Sequence, residues 1–102
     1  MIMVVFEVTM KEGGSEHYFD LAERLRTELE SFDGFIDVER FRSLRDTSRY
    51  VSISSWRDDA SVRAWKAQID HRQAQERGKS EIFADFRIRV AEVIRDYRMA
   101  AA

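Results

Sequence analysis

The chain has 102 residues, 44% of them hydrophobic and 35% charged, and its charges nearly cancel at a net −2. One domain over residues 1–102 is expected, small enough for association to add stability. The absence of cysteine excludes disulfides, thiolate metal sites and cysteine nucleophiles, and the near-neutral balance offers no field to draw nucleic acid.

Met1 to Met10 reads as a strand, with Val4, Phe6, Val8 and Met10 alternating onto one face. Gly13-Gly14 interrupts it, and Ser15 is placed to cap a helix. That helix carries Tyr18, Leu21, Ala22, Leu25 and Leu29, then Phe32, at helical spacing, with Arg26-Glu30 among the ion pairs on its charged face. Asp33-Gly34 ends it. Phe35 to Leu44 is a second strand, with Ile36 and Val38 alternating against Phe35, Asp37 and Glu39. The polar run Arg45-Asp46-Thr47-Ser48 turns into a third strand, Tyr50 to Trp56. Arg57-Asp58-Asp59 starts a second helix with Val62, Trp65 and Ile69 as its apolar stripe, a possible break near Asp70, and an end at Gly78. Phe86 to Tyr97 is a long fourth strand, with Phe86, Ile88, Val90 and Ile94 on one face and Arg87, Arg89, Ala91 and Val93 on the other.

This order is βαββαβ. With right-handed crossovers it predicts a ferredoxin-like α+β fold: a four-stranded antiparallel sheet with both helices on one face. The uncovered face is expected to hold Val5, Tyr50, Trp56, Ala91 and Val93 among Glu7, Ser52, Ser54 and Arg89. A set this apolar marks an interface, so a homodimer through the open sheet face is expected. Arg87 and Arg89 are expected to pair with carboxylates on neighbouring strands.

Several segments together resemble the antibiotic biosynthesis monooxygenase family. They are Gly34-Phe35-Ile36, Ser52-Ile53-Ser54-Ser55-Trp56, Val62-Arg63-Ala64-Trp65, the run from His71 to Lys79, and the close from Arg87 to Tyr97. The resemblance implies a dimeric α+β barrel with a pocket in each subunit between sheet and helices. It also implies relatives that oxidise polycyclic phenols to quinones with molecular oxygen and without flavin, haem or metal, the substrate anion supplying the electron. The strand-three tryptophan of those oxidases matches Trp56; their amide four residues earlier falls on Ser52, and their helix tyrosine near Val62. In a haem-degrading branch the helix-two tryptophan matches Trp65, the strand-one asparagine falls near Phe6 and the haem ligand near Gln75. No cofactor is therefore expected.

Trp56, Trp65 and Gln75 are the expected substrate-binding residues and His71 the expected catalytic base, since an imidazole titrating near neutrality accepts protons readily. Packing is the competing role for both tryptophans, and capping or pairing with Asp70 the competing role for His71. His17 lies in a polar first turn and reads as solvated. Two histidines without cysteine make no zinc pattern, and Gly13-Gly14 is too short for a phosphate loop. The third strand lacks the spaced aromatics of RNA-binding sheets. No apolar run reaches membrane-spanning length, so no membrane partner and a cytoplasmic location are expected. The expected function is cofactor-independent oxidation of a small aromatic or polycyclic phenol. The rival is a non-catalytic dimer that binds a small hydrophobic ligand or only assembles.

Overall fold

In the computed structural model, residues 1–13, 15–75 and 83–100 are described, apart from the side chains of residues 15–18, 21, 70–75, 83 and 84. The elements run β1 (Ile2–Met10), α1 (Ser15–Glu30), β2 (Phe35–Arg42), β3 (Arg49–Trp56), α2 (Asp59–Gln75) and β4 (Phe83–Glu92). All pairings are antiparallel and the strand order is β2-β3-β1-β4, the ferredoxin-like α+β arrangement. No helix of the described residues is long and apolar enough to cross a membrane.

The helices pack by the stripes their sequences carry. Leu29 from α1 and Val62 from α2 are buried against Trp56, with Ile2, Val4, Phe32, Phe35, Val38 and Trp65 around them. Helix α2 runs unbroken through Asp70. It also meets α1 through Gln68, whose Nε2 donates to Glu28 at 3.2 Å. The Ser15 cap lies outside the described side chains, as do His17 and the segment from Glu76 to Lys79.

Three sequence-based expectations need correction. First, Tyr50, Ser52, Ser54 and Trp56 lie on the helix-facing side of the sheet, because they pair with Val8, Phe6, Val4 and Ile2. Val5, Glu7, Arg89 and Ala91 do share the opposite face, joined there by Val51 and Ile53. A one-residue change of phase moves every side chain of a strand to the other face. Strand β3 is apolar in both phases, so alternation alone does not choose.

Second, a bulge between Phe35 and Asp37 breaks the phase of β2. Phe35 and Val38 both join the core while Ile36 is exposed. An extra residue on one strand has this effect on all that follow.

Third, β4 stops at Glu92, not Tyr97. Glu92 pairs with Ile2, and the last bond runs from the Val93 amide to the Met1 carbonyl at 3.0 Å. Ile94, Tyr97 and Met99 stand exposed on an arm that follows the sheet.

On the open face Glu7 bridges two arginines, Arg89 at 2.6 Å and Arg49 at 3.8 Å. The expected pairing of Arg89 with a neighbouring strand is therefore present.

Candidate functional site

The aromatic side chains converge where the helices meet the sheet. Phe32 follows the last turn of α1, Phe35 starts β2, Trp56 ends β3 and Trp65 comes from α2. Phe32 meets Trp65 edge-on at 5.1 Å between centroids, and Phe35 meets Trp56 at 5.5 Å. Trp56 and Trp65 lie 6.4 Å apart. Such pairings add to area burial because ring edges and faces carry opposite partial charge. Trp56 is 2% exposed, and its indole N–H donates to Ser54 Oγ at 2.9 Å. A buried indole with its donor satisfied is a fixed wall. Trp65 is half-buried beside it. The structure thus brings together two of the four expected site residues. His71 and Gln75 belong to the last turns of α2, and their side chains lie outside those described.

The wall continues into an apolar floor that alternation did not single out as a site. Phe86, Ile88 and Val90 of β4 pair with Val8, Phe6 and Val4, so they share the helix-facing side of the sheet. Yet they are 58%, 45% and 49% exposed. Phe86 stacks obliquely on Phe6 at 6.1 Å. Val4 links floor and wall, as the partner of Val90 and a member of the Trp56 cluster. On the same side, at the far edge of the sheet, stands Arg40, paired with Ser52. Its signal in the sequence is its phase: it follows Val38 by two residues, the spacing that keeps a side chain on the core face.

The turn into the site is held by charge. Gly34 adopts a φ of 91°, and its carbonyl accepts from the Arg57 amide at 2.8 Å. The Arg57 guanidinium donates twice to the Asp33 carboxylate, each bond 3.0 Å, and once to Asp58 at 3.1 Å. Asp58 caps α2, accepting from the Ser61 amide at 2.8 Å and the Ser61 hydroxyl at 2.7 Å. These Ser61 bonds, with Arg57 adding to them, hold the Asp58 carboxyl down at about 2. The hydrogen bonds and charge of Arg57 lower Asp33 as well, and the two carboxylates push the Arg57 guanidinium up.

Folding therefore favours the ionised carboxylates. An unfolded aspartate titrates near 4, so the contribution to stability is complete above about pH 4. It is lost as pH falls through the folded value of about 2. Asp58→Asn keeps a capping side chain and removes the titration. Its acid-unfolding curve should be flatter than that of the parent chain between about pH 4 and 2. Equal slopes would show that Asp58 ionisation is not coupled to folding.

Among the described residues no group of three or more His, Asp or Glu side chains is placed to hold a metal ion.

The family described as antibiotic biosynthesis monooxygenase matches residues 1–77. A jasmonate monooxygenase from Pyricularia oryzae is 35% identical over 98 residues, covering 96% of this chain and 46% of that protein. The chain thus spans about half the length of that relative. Among solved structures, SnoaB from Streptomyces nogalater, a cofactor-independent oxygenase, superposes with a TM-score of 0.75 at 17% identity over 93% of this chain and 94% of its own. The heme-degrader MhuD from Mycobacterium tuberculosis, with two hemes bound in its active site, also gives 0.75, at 16% identity over 96% and 100%. At these identities the two structures show a common fold.

Proposed function

The chain belongs to the antibiotic biosynthesis monooxygenase family, and from that premise we propose that it oxidises a small aromatic or polycyclic phenol with molecular oxygen and without a bound cofactor. The observation that carries the reading is the half-exposed floor of Phe86, Ile88 and Val90, continuous with the aromatic wall of Phe32, Trp56 and Trp65. An exposed apolar surface beside fixed aromatic side chains is what a flat hydrophobic substrate needs. The named activities of the fungal relative and of SnoaB support an oxygenase.

In this reading His71 takes the hydroxyl proton of the bound phenol. The resulting anion passes an electron to oxygen, and the two radicals combine at a ring carbon. Loss of water then leaves a carbonyl where a C–H bond stood. One oxygen atom enters that carbonyl. The other leaves as water with the hydroxyl hydrogen and the ring hydrogen, so no external reductant is needed. Trp56 and Trp65 limit water at the reacting carbon, and Gln75 hydrogen-bonds the substrate oxygen. The test is oxygen uptake by purified protein presented with naphthols and anthrones. Uptake should depend on the protein and scale with its concentration. Its absence across both classes would remove the proposal.

The same reading takes two copies of the chain, paired through their open faces. Met3, Val5, Val51 and Ile53 are half-buried there, and the arm lays Val93, Ile94 and Tyr97 along a groove beside Met3 and Ala91. Pairing would remove these surfaces from water. Sedimentation at micromolar concentration should give a dimer mass, and Ile53→Arg should shift it to the monomer. A parent chain that sediments as a monomer would rule the pairing out.

A further inference from the structure

Arg40 is a half-buried arginine on the core side of an edge strand. It lies on the helix-facing side of β2, in one transverse row with Ser52, Phe6 and Ile88. Its Nε is buried and has no hydrogen-bond partner, and no ion pair or side-chain hydrogen bond of Arg40 occurs among the described residues. The nearest acids along the strand offer no relief. Asp37 and Glu39 pair with Ser55 and Ile53, which places them on the opposite face. An uncompensated buried donor on a cation is costly, so it is retained where something supplies the acceptor.

The surroundings define what supplies it. Ser52 and Ser54, the small residues of β3, separate Arg40 from the apolar floor. Three interstrand spacings, about 14 Å, lie between Arg40 on β2 and Ile88 on β4. A molecule lying across the sheet therefore meets a cation at one end and exposed apolar side chains at the other. We infer that Arg40 is the anion-binding residue of this cleft, and that its ligand is an apolar, largely aromatic acid whose carboxylate the guanidinium holds. This rests on the oxygenase reading for the identity of the cleft and adds a substrate class to it. A carboxylate is favoured over a neutral phenol because it is charged at neutral pH before any proton transfer. It also matches the planar guanidinium fork with two parallel hydrogen bonds.

The test uses 2-naphthoate and its uncharged methyl ester as probes, with binding to the full chain measured by calorimetry. The parent chain should bind the acid more tightly than the ester. Arg40→Gln should weaken the acid by about ten- to a hundred-fold, the size of a lost charge-assisted bond, and leave the ester unchanged. Arg40→Lys keeps the charge, loses the fork and should fall between. Circular dichroism confirms that each variant is folded, and Arg40→Lys carries the test if Arg40→Gln is not. Equal loss for acid and ester would make Arg40 structural. A parent chain that does not prefer the acid, or variants that bind it as well as the parent does, would overturn the inference. Oxygen uptake is a separate readout. A protein that binds the acid through Arg40 but consumes no oxygen loses the oxygenase reading alone. An active oxygenase indifferent to Arg40 loses this inference alone.

Discussion

Gly34→Ala should destabilise the chain by about 3 kcal/mol and lower the melting temperature by about 10–25 °C. Two causes add. The backbone φ of 91° is one that residues with a Cβ rarely adopt. A Cβ at this position would also overlap both the Ser61 hydroxyl and the Ser61 Cβ. Ser61 cannot move away cheaply, because its amide and hydroxyl are both bound to Asp58 at the start of α2. The turn between α1 and β2 would have to pull back from α2, and the bidentate Arg57–Asp33 contact spans the same junction. Gly13 supplies the internal control. Its φ is 77°, but a Cβ there meets nothing within 4 Å. Gly13→Ala should therefore cost only the conformational part, about 1 kcal/mol. Thermal unfolding of the two variants separates packing from backbone preference. Similar melting temperatures would mean that the close approach at Ser61 does not constrain the fold.

His71→Ala should reduce turnover of an oxidised phenol by about a hundred- to ten-thousand-fold, the usual worth of a positioned general base. The proposed chemistry needs the substrate anion before oxygen reacts, so the base acts on the first step. Parent activity should fall in acid, because a protonated imidazole accepts no proton. The variant should lose that limb of the profile while keeping its melting temperature. Unchanged turnover with an unchanged pH profile would assign His71 to capping or packing.

Much of the fold was legible because both helices advertise one apolar stripe. Leu29, Val62 and Trp65 stand where helical spacing placed them, and Asp58 caps the helix that Arg57-Asp58-Asp59 was expected to start. The strands were harder for three physical reasons. Strand β3 reads Tyr50-Val51-Ser52-Ile53, apolar in both phases, so the choice of face rests on its pairing with β1. The bulge beyond Phe35 leaves no mark in composition, and it exchanges Ile36 for Phe35 in the core. The fourth strand continues as an apolar alternation past Glu92, but its pairing with β1 closes at Ile2 and Glu92, and alternation in one strand does not show where its partner stops.

Of the candidate site, the aromatic cluster is what the sequence makes legible. Trp56 and Trp65 were named from the sequence and lie 6.4 Å apart. Arg40 does not stand out in the sequence, because an arginine in a strand that also bears Asp37, Glu39 and Arg42 reads as one more solvated charge. Its spacing of two residues from Val38 is the signal it does carry, and the register shows which face the two share. Alternation puts Phe86, Ile88 and Val90 on one face of the strand, but their exposure depends on what the helices leave uncovered.

The most direct test of the central claim is the fate of isotopically heavy oxygen gas during turnover of a naphthol or anthrone by the purified chain. The account predicts one heavy atom in the product carbonyl, the other in water, and activity proportional to protein that carries no haem, flavin or metal. An oxidised product without heavy oxygen, or activity that follows a co-purifying cofactor instead of the protein, would contradict it.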